Sequence, residues 1–342
     1  MKKVAIIRGA DLNKFEMQNY YPLHNCDFEL LGVTSTKPHS QLDGIKFPVH
    51  KLRMLGDFSK NVKFHAGVNK FFGDDQLMFG FESLVKNYDI VHTAEIHNYY
   101  SYQAIKAKVK GLISKVVITV WQNIPLTGNA NAALSKMKKI IIQNADLFHV
   151  VTQQSREALL LEGVNPNKIK LIPYGVDKLK FKFNQQKREL IRAKLNIDDN
   201  VTLVLGIGRL VWEKGFDFQI YAIKKILLDQ YKDIKLIILG KGPRLNYLQF
   251  IINELELNEV VQIIEDVNYD QINDYYSAAD IFVLSSLILE NWQEQYGMVL
   301  PEAMTNGKPV IGANSGAIPE VIGDAGLIDC ATWKPRNFSG KN

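Results

Sequence analysis

Val201-Thr202-Leu203-Val204-Leu205-Gly206-Ile207 runs directly into Gly208-Arg209-Leu210-Val211-Trp212-Glu213-Lys214-Gly215, and residues 216–228 continue with helical spacing. An unbroken Val/Leu run marks a strand buried on both faces, as in a parallel sheet. The loop is a strand-to-helix turn, so the whole stretch reads as one βα unit. The same rhythm recurs on either side. Strand-like runs lie at 4–7, 28–33, 89–92, 115–121, 147–152 and 169–172 in the first half. In the second they lie at 201–207, 234–239, 260–264, 281–284, 309–312 and 326–328. Helix-like stretches separate them, 243–255 among them, and alternation of this kind predicts an α/β protein with doubly wound parallel sheets.

The rhythm breaks once, near 173–200. Pro173-Tyr174-Gly175-Val176-Asp177 is turn chemistry and the lysine-rich stretch 178–192 follows it. A boundary here gives two Rossmann-like domains, 1–175 and 176–342, facing a cleft at the carboxyl ends of their strands, where open α/β sheets bind ligands. A chain of 342 residues suits two cores better than one. Residues 53–81, rich in Gly and Phe, show weak periodicity and take no assignment.

With 46% hydrophobic and 23% charged residues the composition is that of a globular protein. No apolar run approaches the roughly 18 residues that a membrane helix needs. Arg8 interrupts the first apolar run, which is too short for a signal-peptide core, so a cytoplasmic location is expected. Cys26 and Cys330 show no metal-ligand spacing and are not expected to pair. Residues 1–175 hold 22 Lys/Arg and 14 Asp/Glu, net +8; residues 176–342 hold 19 and 22, net −3. A basic half can meet nucleic acid or an anionic membrane, or can be a solvated lysine-rich surface.

Four loops of the second half carry candidate binding chemistry. In the first, Gly208 allows a tight turn at a helix start, and Arg209 and Lys214 can reach one diphosphate; the plain alternative is a glycine turn with two solvated cations. In the second, Gly240-Lys241-Gly242-Pro243, Pro243 suits the first helical position. The third is Glu294-Gln295-Tyr296-Gly297-Met298-Val299-Leu300-Pro301-Glu302-Ala303-Met304. A helix beginning near Gly297 puts Glu294 before it and Glu302 in its second turn, with backbone amides between. Carboxylates accept from hydroxyls and amides donate to phosphate. In the fourth, Asn314-Ser315-Gly316-Ala317-Ile318-Pro319-Glu320, Ser315 and Gly316 open a helix.

As a set, 208–215, 240–243, Tyr276-x-x-Ala279-Asp280, 294–304 and 315–320, with the 173–177 turn, resemble the family 4 retaining glycosyltransferases of the GT-B fold (glycosyl transferases group 1). The resemblance covers about residues 170–328; the first half fits by pattern alone. It implies that Arg209 and Lys214 hold a donor diphosphate, that Glu302 binds ribose hydroxyls, and that Glu294 with the amides after it holds the donor sugar. Glu294, Arg209 and Lys214 are then the catalytic candidates. The donor site adds Gly208, Gly240, Gly242, Tyr296, Gly297, Met298, Val299 and Glu302. The implied reaction moves a hexose-type sugar from a nucleoside-diphosphate sugar to a glycan, lipid-linked or small-molecule acceptor, with retention. No metal or cofactor is expected, and the two cations can neutralise the leaving diphosphate directly. No nucleic acid is expected as partner; an anionic membrane is a candidate contact through the lysines of 101–114 and 136–139. The alternatives are a GT-B nucleotide-sugar epimerase and a sugar-nucleotide-binding pseudoenzyme.

The first half departs from the family pattern. Thr119-Val120-Trp121-Gln122-Asn123 stands where many relatives carry a histidine, and Arg8-Gly9-Ala10-Asp11 lacks the usual double glycine. Trp121 is either a sugar-stacking platform or a core aromatic. His92, Glu95 and His97 are acceptor-side candidates beside Trp121, Gln122 and Asn123. The segment after 328 is short against the family's pattern, and a truncated C-terminus is one reading of it.

Overall fold

The computed structural model describes residues 1–59 and 61–329. The chain divides into two compact units between Gly175 and Val176. The first unit carries strands β1 (Lys2–Ile7), β2 (Phe28–Ser35), β3 (Val49–Leu52), β4 (Ile90–Ala94), β5 (Lys115–Val120), β6 (Leu147–Val150) and β7 (Ile169–Leu171). Its helices are α1 (Lys14–Met17), α2 (Val62–Phe72), α3 (Phe81–Val85), α4 (Tyr99–Val109), α5 (Ala132–Asn144) and α6 (Gln153–Leu161). The second unit carries α7 (Gln185–Lys194), β8 (Thr202–Ile207), α8 (Phe216–Leu228), β9 (Ile234–Leu239), α9 (Leu245–Glu254) and β10 (Val261–Ile264). It continues through α10 (Ile272–Ala278), β11 (Ile281–Leu284), α11 (Val299–Thr305), β12 (Val310–Ala313), α12 (Ile318–Ile322) and β13 (Leu327–Asp329).

Both sheets are parallel and doubly wound. The first runs β3-β2-β1-β4-β5-β6-β7 and the second β10-β9-β8-β11-β12-β13. Strand order reverses between β1 and β4 in one and between β8 and β11 in the other, which opens a crevice at the carboxyl ends there. The central strands are the unbroken apolar runs. The last four residues of β1, the last five of β8 and the last four of β9 are buried throughout, as a sheet covered by helices on both faces requires.

Several sequence expectations shift. Strand β3, Val-His-Lys-Leu, was not among the expected runs; it is an edge strand with two exposed polar residues, so it lacks the apolar signature. Residues 53–81 hold α2 and two short turns. Pro243 lies in the turn before α9, which starts at Leu245. Helix α11 starts at Val299, not Gly297, because Gly297 has a left-handed φ of 76° that cannot continue into a helix. Glu302 therefore sits in the first turn. Ser315 and Gly316 precede α12, which places Pro319 in its first turn. Cys26 is an exposed free thiol; Cys330 and the segment after it lie outside the described residues. Among these residues no helix is long and apolar enough to cross a membrane.

Three of the six lysines offered for membrane contact are occupied. Lys108 pairs with Asp146 at 2.6 Å, Lys110 with Glu82 at 2.7 Å, and Lys138, only 4% exposed in its side chain, with Glu162. Helices α4 and α5 are thus not a continuous cationic face.

Candidate functional site

In the second unit four loops meet at the carboxyl ends of β9, β8, β11 and β12. Glycines let them touch. A Cβ on Gly240 would lie 1.8 Å from the carbonyl oxygen of Gly208, and one on Gly316 would lie 2.0 Å from that of Glu294. The backbone ties the same loops together: Leu210 N donates to Lys241 O at 2.8 Å, and Ala317 N to Glu294 O at 2.9 Å. Gly240 and Gly316 are therefore needed for loop-on-loop packing, whatever ligand binds.

Arg209 stands exposed just after β8, whereas Lys214 ends a short turn before α8. Lys214 Nζ lies 2.5 Å from Glu294 Oε2, and Ser286 Oγ donates to the same oxygen at 2.6 Å. The ammonium also lies 5.2 Å from the centre of the Trp292 ring. Glu294 is buried, and its backbone N donates to Ser315 Oγ at 3.4 Å. The resemblance assigned Lys214 and Glu294 to different ligand groups; the structure makes them partners across the β8–β11 switch point. Tyr296 is buried and Gly297 gives the turn that leads into Met298 and Val299. Of the first helical amides, Leu300 N is taken by Gly297 O and Glu302 N by Met298 O, while Pro301 has none.

Glu302 is 2% exposed and separately held. Tyr269 Oη donates to Oε1 at 2.7 Å and Tyr276 Oη to Oε2 at 3.0 Å. Burial pushes this carboxyl up to about 7, against the opposing pull of the two tyrosines and of Lys180. Sequence reasoning missed Tyr269, Ser286 and Trp292. The pair Ser285-Ser286 directly after the apolar run of β11 was a legible signal, since polar residues at that end of a parallel strand line the crevice.

The first unit has a buried polar chain across its own carboxyl edge. Arg8, 1% exposed, donates to Glu16 Oε1 at 2.6 Å and to Tyr20 Oη at 2.7 Å. Tyr20 Oη lies 3.2 Å from His92 Nδ1, His92 Nε2 lies 2.8 Å from Thr119 Oγ1, and Thr119 Oγ1 lies 3.0 Å from His149 Nδ1. His149 Nε2 faces the Ile172 carbonyl at 2.7 Å, so it must carry the hydrogen. That end fixes every proton: Thr119 donates to His149, His92 Nε2–H donates to Thr119, and Tyr20 donates to His92. Burial holds both imidazoles below their ordinary value, hence neutral, with Arg8 adding to the effect. His92 thus has both ring nitrogens committed to the scaffold. Thr119→Val removes the middle hydroxyl while keeping shape and strand preference. It should cost about 1–3 kcal/mol, because two partly buried ring nitrogens lose partners. A lowered urea midpoint at unchanged m-value is the check; an unmoved midpoint contradicts the chain.

Trp121 packs against this chain, 5.7 Å from the Arg8 guanidinium and 6.0 Å from the Tyr174 ring. Glu95 has a left-handed φ of 59°, uncommon for a residue with a side chain. Its Oε1 accepts from the backbone N–H of Trp121 at 2.8 Å and of Gln122 at 3.1 Å, while Oε2 lies 3.7 Å from His97 Nδ1. Gln122 Oε1 accepts from Asn123 N at 3.2 Å. Glu95, His97, Trp121, Gln122 and Asn123 therefore form one cluster after β4 and β5, whereas His92 belongs to the Arg8 chain. Beside β1 and β2 a separate cavity of about 320 Å³ is lined by Asp11, Lys37, His39, Asp57, His65 and Gln76, among others.

Comparison with known proteins fits this architecture. The model for glycosyl transferases group 1 matches residues 187–335, and that for Glycosyltransferase Family 4 matches residues 34–178. An uncharacterized glycosyltransferase of Methanocaldococcus jannaschii is 32% identical over 182 residues, covering 53% of this chain and 45% of that protein. The phosphatidylinositol N-acetylglucosaminyltransferase gpi3 subunit of Schizosaccharomyces pombe is 28% identical over 242 residues, 69% of this chain and 49% of that one. Alpha-monoglucosyldiacylglycerol synthase of Streptococcus pneumoniae is 28% identical over 158 residues, 45% and 34% of the two chains. The chain spans about half the length of the first two relatives and a third of the last. Among solved structures, Anabaena HepE in complex with UDP superposes with a TM-score of 0.73 at 19% identity, covering 96% of this chain and 85% of that one. Two adjoining family models, matched over both doubly wound units, make this chain a member of the family 4 glycosyltransferases, the glycosyl transferases group 1, with the GT-B fold.

Proposed function

We propose that the chain is a retaining glycosyltransferase that moves a hexose-type sugar from a nucleoside-diphosphate sugar to a glycan, lipid-linked or small-molecule acceptor, without a metal. The observation that carries it is the Lys214–Glu294–Ser286 cluster at the β8–β11 switch point, beside exposed Arg209. A diphosphate arriving there meets two cations, and the carboxylate that now neutralises Lys214 faces the sugar on its anomeric side. As the bond to phosphate breaks, its electron pair leaves with the diphosphate, where Arg209 and Lys214 stabilise it. Positive charge grows on the sugar, where Glu294 stabilises it, until the acceptor hydroxyl oxygen bonds to the anomeric carbon and its proton passes to the released diphosphate. Glu302, below, accepts from ribose hydroxyls. The names of relatives point the same way: HepE is solved with UDP and with UDP-glucose, and two relatives are named for glycosylation of lipids. The first unit would hold the acceptor, near Glu95, His97 and the Trp121–Asn123 turn. Trp121 is accounted for by its packing on Arg8, so it gives no reason to prefer a pseudoenzyme.

The test is donor turnover with product analysis. Sugar transfer or slow hydrolysis, without an epimerised nucleotide sugar, is expected and should survive EDTA. Loss of activity restored by magnesium or manganese would overturn the metal-free reading, and an epimer product would overturn the transferase. Arg209→Ala should weaken donor binding by about 1.5–3 kcal/mol, the worth of a hydrogen bond to a charged group.

A further inference from the structure

Strand order in the first unit reverses between β1 and β4, and two buried atoms beside the ends of these strands are left unpaired. Glu95, directly after β4, is 7% exposed, and its Oε2 has no hydrogen-bond partner. His97 Nδ1 stands 3.7 Å away, beyond hydrogen-bond reach. Glu95 also holds its left-handed φ of 59°, and burial raises its carboxyl above the ordinary value despite two backbone N–H groups on Oε1. Strain, burial of a charge and an unpaired oxygen each cost stability, and a residue that gathers such costs points to function.

Gln76 supplies the second atom. It lies against Gly9, just after β1: a Cβ on Gly9 would sit 2.1 Å from Gln76 Oε1. That oxygen is buried and likewise unpartnered, while Nε2 donates to Asn98 Oδ1 at 3.1 Å. Asn98 Nδ2 donates in turn to Ala94 O at 3.0 Å, so Gln76 and Glu95 both border the short loop 95–98. Gln76 also lines the cavity of about 320 Å³, a volume that suits a small ligand. Both unpaired atoms are acceptors. The basic groups around them are committed: Arg8 to Glu16, His39 to Asp11 at 2.9 Å, His65 to Asp75 at 2.5 Å and Lys37 to the Asp57 carbonyl at 2.5 Å.

We propose that Glu95 Oε2 and Gln76 Oε1 accept from hydroxyls of a neutral polyol, a hexose or cyclitol ring without phosphate, and that this ring is what the first unit recognises in the acceptor, which rests on the transferase reading above and narrows its acceptor. Hydroxyls can donate to both oxygens, whereas a phosphate brings further acceptors and a like charge against Glu95. His97, its side chain 38% exposed, is the neighbour that turns aside to admit a hydroxyl to Oε2.

Saturation-transfer NMR on the full chain tests it, with methyl α-glucoside, methyl α-mannoside and myo-inositol set against their phosphate monoesters. At least one neutral polyol should bind. Glu95→Gln keeps the shape, leaves a carbonyl for the Trp121 and Gln122 amides and puts an NH₂ where Oε2 was. Polyol affinity should then fall about tenfold or more, the worth of a hydrogen bond to a charged group. Gln76→Met should lower it about threefold. Signals of the phosphate monoesters should depend on neither residue. A merely structural Glu95 predicts a variant that melts lower; Glu95→Gln should instead melt no lower than wild type, because it sheds a buried charge. The two substitutions lie on separate segments, and circular dichroism checks the fold, so misfolding of one variant leaves the other to decide. Polyol binding without turnover of any nucleoside-diphosphate sugar would uphold the subsite and count against the transferase. No neutral polyol bound, affinities unchanged in both variants, or phosphate monoesters that weaken along with the polyols would each overturn the subsite.

Discussion

Glu294→Gln should lower kcat by about two orders of magnitude while changing the donor KM much less. A preorganised group that meets charge developing in the transition state is worth on the order of 10²–10³ in rate. The carboxylate is buried and fixed by Lys214 and Ser286 before any ligand binds, so it needs no reorganisation during reaction. Gln keeps the volume, and its carbonyl oxygen can still accept from both partners, so the loss isolates the charge. Lys214→Ala should raise KM, because the ammonium meets the diphosphate already in the ground state, and also lower kcat, because it meets the further negative charge that develops on the leaving diphosphate. The double variant should fall short of the summed effects, since each residue holds the other in place. Steady-state kinetics with circular dichroism as folding control decides it. A wild-type kcat in Glu294→Gln would remove the residue from the reaction.

Glu302→Gln should show the opposite division: a raised donor KM, a modest change in kcat, and a more stable protein above neutral pH. The native carboxyl is held near 7 against an ordinary value of 4.5. The folded state therefore binds the proton more tightly than the unfolded chain. Relative to a neutral residue there is no penalty below about pH 4.5; the penalty grows as pH rises and is complete above 7. It amounts to on the order of 3 kcal/mol. The Gln variant escapes it. Tyr269 can donate to the amide oxygen, and Tyr276, whose hydroxyl also lies 3.1 Å from Val299 O, can turn its hydrogen there and accept from the amide nitrogen. The melting-temperature difference, variant minus wild type, should thus rise between pH 5 and pH 8. Ribose hydroxyls that donate to the carboxylate favour its charged form, so wild-type donor affinity should rise through pH 7 and the variant's should not. A temperature difference independent of pH would show that Glu302 carries no buried charge.

The fold was legible because its central strands are buried on both faces. Runs such as 234–239 are nothing but apolar residues and one lysine, and no other element of that length reads so. Edge strand β3 was not legible for the same reason: with one face and one edge exposed, Val-His-Lys-Leu looks like loop. Helix starts were misplaced by two residues at Gly297 and at Pro243, where a left-handed glycine or a turn intervenes before the first helical residue. The loops of the second half could be named from their glycines and charges. Their mutual contacts could not, since the Lys214–Glu294 pair joins residues eighty positions apart through adjacent strands. The Arg8 chain was invisible in sequence. Tyr20 comes from the turns after α1, while His92, Thr119 and His149 come from separate strands that only the parallel order β4-β5-β6 aligns.

Thermal unfolding of wild-type protein with UDP-, GDP- and ADP-sugars tests the central claim most directly, because a ligand at 100 times its Kd adds about 2.7 kcal/mol of stability. At least one nucleoside-diphosphate sugar should raise the melting temperature, and Arg209→Ala and Lys214→Ala should each reduce that rise at equal ligand concentration. No rise with any of the three classes, or an undiminished rise in both variants, would contradict a donor site at the β8–β11 switch point.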